Sequence, residues 1–215
     1  MEGGVNVMDD ILVWGEDKDS HDNRLKKLLE KLRSINLKLN KDKCKIGLSE
    51  ISYIGHVLSK DGLRPDKEKV RAILEMREPS DKSALQRFLG MVQYLAKFIP
   101  NLSEVTAPLR KLLEGETHWH WESEQQDSFN CLKVLVSTAP VLKFYDVNQP
   151  VTLSVDASAE GLGAVILQEG QPVAYGSRAL TDCEQNYAQI EKELLAIVHG
   201  CETFHQYLYG RWCSS

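Results

Sequence analysis

No pair of cysteines has C-x-x-C spacing, and the five present (Cys44, Cys131, Cys183, Cys201, Cys213) are odd in number. A disulfide framework or a structural zinc site is thereby disfavoured, and reduced thiols of a cytosolic or nuclear protein are expected. No apolar run approaches the ~18 residues that a membrane-spanning helix needs. The first residues lack the basic start and small-residue cleavage site of a secretory signal. Internal repeats and low-complexity tracts are also missing. Membrane and secreted classes are set aside on these grounds, and no membrane partner is expected. What is present is an ordinary balance, 42% hydrophobic and 27% charged over 215 residues. That is enough chain for one large domain or two small ones.

The formal net charge of -5 conceals a split. Residues 1–114 carry 21 basic against 18 acidic side chains, whereas residues 115–215 carry 5 against 13. Between Asn23 and Arg71 there are 14 basic and 6 acidic residues. A block of this kind suits a phosphate backbone, because each neutralised phosphate releases condensed counterions. Lys26, Lys27 and Lys31 could equally be the wet face of one helix. The excess continues through Lys38, Lys41, Lys43 and Lys45, beyond any single helix, and that favours nucleic acid.

Periodicity divides the chain. Two short apolar runs from Val5 to Trp14, interrupted by Asp9 and Asp10, predict a strand–turn–strand hairpin with both carboxylates at the bend. Leu25, Leu28, Leu29, Leu32 and Ile35 recur at helical spacing, with Asp19 or Ser20 available as the N-cap. Ile51 to Leu58 predicts a strand pair, followed by a turn at Lys60-Asp61-Gly62. From Pro65 the pattern becomes helical: a short helix over 66–76, a second capped by Ser80 and ended near Pro100, and a third over 107–113. Ser123 and Gln126 form a capping box before another helix, which Ala139-Pro140 ends. Strands are predicted over 151–155, 162–167 and 173–177. A long helix then follows a capping box at Thr181 and Glu184, with Tyr187, Ile190, Leu194, Ile197, Val198, Cys201, Phe204 and Leu208 on its apolar stripe. The β-β-β-α order suggests a mixed sheet crossed by a helix.

Two acidic pairs are candidates for metal chemistry. Displacement at phosphorus is served by two Mg²⁺ ions about 3.5–4 Å apart, held by hard oxygen ligands. Asp9 and Asp10 would repel one another at a hairpin tip unless a cation lay near them; the plainer reading is an acidic turn. Asp156 ends an apolar strand, and Glu193 borders the apolar stripe of the last helix. A Glu there is costly to bury unless paired or metal-bound, though it could be a rim residue in helix ion pairs. The stretch Glu16–Asp22 lacks the central Gly and closing Glu of a calcium loop. His118 and His120, at i, i+2, have no Cys or carboxylate cluster nearby and read as surface or packing residues.

With these motifs in order, the sequence resembles the Pol polyprotein of Ty3/gypsy-type LTR retrotransposons, from reverse transcriptase into RNase H. The resemblance runs from Val5 to Arg211. Val7-Met8-Asp9-Asp10-Ile11-Leu12-Val13 resembles the aromatic-x-Asp-Asp motif of the polymerase palm, with Val7 in place of the usual aromatic or His. Leu37 to Cys44 is similar to the lysine-bearing palm segment, which would make Lys43 a proton donor to leaving pyrophosphate and Lys41 a nucleic-acid contact. Tyr53-Ile54-Gly55-His56 is similar to the primer grip. Leu85 to Pro100, with Gln86, is similar to the thumb helix, and Thr117 to Leu142 to the connection. Ser154 to Ser158 and Ile190 to Ile197 are similar to the start and first helix of RNase H.

The resemblance implies an α+β fold in segments: palm over 1–64, helical thumb over 65–115, connection over 116–148, the N-terminal part of an RNase H-like domain over 149–211, and a non-family tail at 212–215. It implies Asp9 and Asp10 as polymerase metal ligands and Asp156 and Glu193 as hydrolase metal ligands, with Mg²⁺ or Mn²⁺ as the ion. The implied partners are an RNA/DNA hybrid or template–primer duplex and, for the intact parent enzyme, a dNTP. It also implies one further palm Asp on an earlier strand and at least one further RNase H Asp, neither of which this sequence contains. Two acidic sites each short of ligands predict weak ion binding and little activity for this polypeptide. The hydrolase assignment requires Asp156 and Glu193 to meet on one side of the C-terminal sheet.

Overall fold

The protein is described by a computed structural model that covers residues 4–7, 9–115, 117–211 and 213–214. The Val7 side chain, Trp212 and Ser215, to which the sequence reading attached expectations, lie outside the described parts. The fold is α+β and divides into two compact units, Met1–Ser49 and Glu50–Ser215.

In the first unit, β1 (Gly4–Val7) and β2 (Asp10–Val13) form the expected antiparallel hairpin, with Val7 opposite Asp10 and Asp9 in the turn. Helix α1 (Lys18–Ser34) starts earlier than the sequence pattern indicated. Its N-cap is Asp17, not Asp19 or Ser20: the Asp17 carboxylate accepts from the Ser20 amide at 2.7 Å, satisfying a donor the helix leaves free. Arg24 ties the helix back to the hairpin by donating to the Trp14 carbonyl at 2.9 Å. Leu32 is the one buried apolar residue among those described in this unit; Leu29, Ile35, Leu37, Ile46 and Leu48 are exposed.

The second unit opens with a three-stranded antiparallel meander, β3 (Glu50–Tyr53), β4 (His56–Ser59) and β5 (Gly62–Pro65). The third strand escaped the sequence reading because the residues after the turn, Leu63-Arg64-Pro65, carry no alternation. Its partner is far away in sequence: Leu63 and Leu142 exchange both backbone hydrogen bonds, at 2.8 and 2.9 Å. Gly62 permits this, since a Cβ there would lie 2.2 Å from the Leu142 carbonyl oxygen.

Helices α2 (Lys67–Glu75), α3 (Lys82–Tyr94), α4 (Leu102–Val105), α5 (Ala107–Lys111) and α6 (Ser123–Ser137) surround the larger core. Phe88 and Phe129 pack at 4.6 Å between ring centres, with Ile73, Leu85, Leu109 and Leu132 buried around them. The cap of α3 is Asp81 rather than Ser80: its carboxylate accepts from the Ala84 amide at 2.8 Å. At α6 the box is Glu122 with Gln125, one residue before the expected pair, and the Gln125 side chain accepts from the Glu122 amide at 3.1 Å. Lys133 of α6 donates to the carbonyls of Leu74 and Met76, neutralising the C-terminal end of α2. Trp119 and Trp121 pack on this core while His118 and His120 point out, as the i, i+2 spacing predicts.

The C-terminal sheet is mixed, in the order β8 (Gln171–Ala179), β7 (Gly161–Gln168), β6 (Val151–Ala157), β9 (Cys213–Ser214); the last pair is parallel and the others antiparallel. A short helix, α7 (Asp182–Gln185), carries the expected capping box of Thr181 and Glu184. Next, α8 (Gln189–Thr203) crosses β6 and β7, breaks at Phe204, and is followed by α9 (His205–Leu208). Tyr187 lies outside the helix, and the expected apolar stripe is largely turned outward, with Ile190 71% and Leu194 59% exposed. The helix instead lies on its small residues. Ala196 is buried, and a Cβ at Gly200 would come within 2.9 Å of Val155 Cγ1, so only a small residue fits this approach. No helix among the described residues is long and apolar enough to cross a membrane.

Candidate nucleic-acid interface

The hairpin tip at residues 53–56 is a tight turn in which Ile54 (φ 48°) and Gly55 (φ 64°) both adopt the left-handed region. That conformation is natural for Gly and strained for a β-branched residue. The turn is held from α3: the Tyr94 hydroxyl donates to the Ile54 carbonyl at 2.8 Å. The Tyr94 ring lies so close that a Cβ at Gly55 would be 2.2 Å from its oxygen. His56 stacks on the same ring at 5.6 Å and meets the Phe98 ring edge-on at 5.5 Å. Lys97, over the Phe98 ring at 5.3 Å, is half-buried beside it. Burial first, and then the Lys97 charge, push the His56 imidazole below its ordinary range; burial does the same to the Lys97 ammonium. A half-buried imidazole and a half-buried ammonium are thus set beside a backbone turn.

Helix α3 presents the adjoining surface. Gln86, Gly90 and Tyr94, spaced four apart, share one exposed face with Gln93. Gly90 sits in the helix interior, and a Cβ there would meet nothing within 4 Å. A mid-helix Gly costs about 1 kcal/mol relative to Ala, and no internal packing at Gly90 offsets that. Sequence reading named Tyr53, Gly55, His56 and Gln86 in this region; the structure joins Gly55 and His56 through Tyr94 and Phe98, which it had not singled out. The available signal was the Gln-x-x-x-Gly-x-x-x-Tyr spacing. Lys41 and Lys43 occupy a 3-10 turn in the first unit and are exposed, with Asn40 accepting from the Asp42 amide at 3.0 Å.

The acidic candidates are placed as follows. Asp9 and Asp10 are exposed at the hairpin of the first unit. In the second unit, Asp156 lies opposite Gly163, and a Cβ on Gly163 would meet Asn101 Oδ1 at 2.4 Å. That face is turned to the N-terminal end of α4. The neighbouring Ala157 is buried with Ala196 of α8 on the other face. By the two-residue pleat, then, Asp156 lies on the face away from α8, which carries Glu193. Its recess is shared with Asn101, Ser103, Glu104 and Ser158. Glu193 reaches the strand end indirectly: Gln189 Nε2 donates to its carboxylate at 2.7 Å and to the Ala157 carbonyl at 3.0 Å. Among the described residues, no group of three or more His, Cys, Asp or Glu is placed to hold a metal ion.

The composite of a hairpin-and-helix platform and a mixed sheet crossed by a helix is the fold of reverse transcriptases. Two foamy viral protease–reverse transcriptase structures are similar over 99% of this chain at 22% identity: one in complex with double-stranded DNA (TM-score 0.90, 38% of that chain) and one with an RNA/DNA hybrid (TM-score 0.87, 30% of that chain). Residues 6–58 match the family described as reverse transcriptase (RNA-dependent DNA polymerase). Residues 121–214 match the RNase H-like domain found in reverse transcriptase. The retrovirus-related Pol polyprotein from transposon 297 of Drosophila melanogaster is 38% identical over 205 residues, covering 95% of this chain and 19% of that protein. The transposon Tf2-3 polyprotein of Schizosaccharomyces pombe (strain 972 / ATCC 24843) is 34% identical over 209 residues, 95% of this chain and 16% of its own length. Residues 6–58 are thus a reverse transcriptase segment and residues 121–214 an RNase H-like one, in a chain similar over 95% of its length to retrotransposon Pol polyproteins. It spans under a fifth of the length of these relatives.

Proposed function

We propose that this chain is the part of a retrotransposon reverse transcriptase that grips the template–primer, binding an RNA/DNA hybrid or DNA duplex along α3 and the 53–56 hairpin. The observation that carries this reading is the union of a positive-φ turn, an exposed helix face with an open mid-helix Gly, and half-buried His56 and Lys97 beside them. The backbone at Gly90 is free of neighbouring side chains, so a sugar–phosphate strand can approach closely there. The segments we assign are palm over 1–64, thumb over 65–115, connection over 116–148 and RNase H-like over 149–211. The same duplex partners occur in the solved foamy viral complexes.

Divalent ions supply the phosphoryl-transfer chemistry of such enzymes. Asp9 and Asp10 are our assignment for polymerase ligands and Lys43 for proton donation to pyrophosphate; Asp156 and Glu193 do not meet on one side of the sheet as the hydrolase assignment requires, so they serve as its ligands only if the strand end rearranges. Among the described residues these carboxylates join no group of three or more metal-ligating side chains, and we propose little polymerase or nuclease activity for this polypeptide. Fluorescence anisotropy with a labelled RNA/DNA hybrid tests the binding reading. Dissociation constants of about 10⁻⁴–10⁻⁶ M near physiological salt are expected, weakening steeply as salt rises, and unchanged in Asp9→Asn with Asp156→Asn. Salt-insensitive or undetectable binding would overturn it, and Mg²⁺-dependent primer extension would overturn the inactivity.

A further inference from the structure

We propose that Arg110 and the cavity beside it form a second anchor, a seat for one backbone phosphate of the nucleic acid lying on α3; this rests on the duplex-binding reading. The cavity has a volume of about 80 Å³ and is lined by Leu89, Gln93, Thr106, Arg110 and Ser177, among others. Gln93 and Leu89 place it on the flank of the α3 face that carries Gln86 and Gly90. It is therefore within reach of a strand lying there.

Among the described residues, no acidic side chain forms an ion pair with Arg110. Its guanidinium is half-buried, one terminal nitrogen donates to the Ser103 carbonyl at 2.5 Å, and its buried Nε finds no hydrogen-bond partner among the described residues. Glu160, one of the two nearby acids, is taken by Lys111 at 2.8 Å, and Glu114 acts only at longer range. Burial pushes the Arg110 guanidinium below its ordinary range, the mark of a charge stripped of water without full compensation. An unpaired, desolvated guanidinium is costly, and an oxyanion in the adjoining cavity relieves that cost through charge-assisted hydrogen bonds. The lining supplies a further donor in the Gln93 amide, whereas the Thr106 hydroxyl already donates to the Leu102 carbonyl at 2.8 Å. Ser177 Oγ accepts from the Ser103 amide at 3.0 Å, which leaves its own hydrogen to donate.

The test uses the whole 215-residue chain. In anisotropy titrations with an RNA/DNA hybrid, Arg110→Gln is expected to bind about tenfold more weakly, with a salt slope shallower by about 1. Arg110→Lys is expected to recover the slope and only part of the affinity. In parallel, the Arg110 Nε–H resonance of the wild-type chain is followed by NMR during titration with hybrid and, separately, with inorganic phosphate. A shift on adding hybrid supports the seat even if a variant fails to fold. An unchanged slope in folded Arg110→Gln, or a resonance unmoved at saturating hybrid, overturns it. A response to inorganic phosphate alone also overturns it, since the cavity then takes free anions and not the strand. If the wild-type chain binds no hybrid, the function proposed above fails first, and the phosphate titration still decides whether an anion site exists.

Discussion

Tyr94 donates its hydroxyl hydrogen to the Ile54 carbonyl at 2.8 Å, and its ring fills the space that a Cβ at Gly55 would need. One side chain thus fastens a strained turn to the helix that follows it 40 residues later. Two variants separate these roles. Tyr94→Phe removes one hydrogen bond and is expected to cost about 1 kcal/mol of stability while the turn survives. Gly55→Ala must place a methyl group against the ring at φ 64° and is expected to cost about 2 kcal/mol or more. Chemical denaturation measures both. If Gly55→Ala proves the milder change, the turn is not fixed as described.

Gly90 makes the opposite kind of prediction, because stability and binding should move apart. The helix has room for a methyl group there, so Gly90→Ala is expected to stabilise the chain by about 0.5–1 kcal/mol. If a nucleic-acid strand approaches the helix at this point, the same methyl group weakens hybrid affinity. A rise in melting temperature with a loss of affinity is the expected pair of results. Unchanged affinity would mean that the duplex lies elsewhere.

Much of this platform was legible in the sequence, for reasons that individual residues make plain. The Asp9-Asp10 hairpin, the meander strands around Gly55 and the helix through Phe88 and Val92 follow from alternation and 3.6-residue periodicity. Their caps were misplaced because several polar residues competed for each one: Asp17 over Asp19 and Asp81 over Ser80 are settled by backbone angles that no local pattern reveals. The stripe on α8 was misread for a different reason. Helix–sheet approach is set by the smallest residues, Ala196 and Gly200, and large aliphatics such as Ile190 and Leu194 are left outside. Beyond the helical spacing that Tyr94 shares with Gln86 and Gly90, the roles of Tyr94 and Arg110 could not be read locally, because they lie in a partner 40 residues away or in an empty space. Likewise, Asp156 and Glu193 could be named from motifs, but strand pleat decides which face each one occupies.

Acid should loosen the protein in two stages. His56 and His199 are half-buried, with imidazoles pushed below the ordinary 6.5, chiefly by burial and then by Lys97 and Arg178 respectively. The unfolded chain therefore takes up protons near pH 6.5 that the folded chain refuses until lower pH. Stability is expected to be full above about pH 6.5 and to fall as pH drops below it. Glu184 acts lower: held to about 2 by its two hydrogen bonds from Arg178, it contributes above its ordinary 4.5 and is lost as pH falls through 2. Urea midpoints between pH 8 and 5 check the first stage, and His56→Gln should flatten part of the slope. A midpoint that stays level to pH 5 would contradict this account.

Whether Asp156 and Glu193, the carboxylates proposed for a hydrolase site, act together is decided by Mn²⁺, a paramagnetic substitute for Mg²⁺. Asp156 opens to the α4 face, whereas Glu193 on α8 accepts from the Gln189 side-chain amide, which also donates to the Ala157 carbonyl. Two carboxylates on different faces cannot share one set of ligand oxygens, and a single carboxylate holds a hard divalent ion weakly, since several waters remain bound to the ion. Millimolar Mn²⁺ is therefore expected to broaden amide signals around residues 154–163 and 189–193 as two independent patches. Asp156→Asn should erase the first without touching the second, and Glu193→Gln the reverse. If either variant erases both patches, the carboxylates bind one ion together, and the strand end must then rearrange to bring them to the same side.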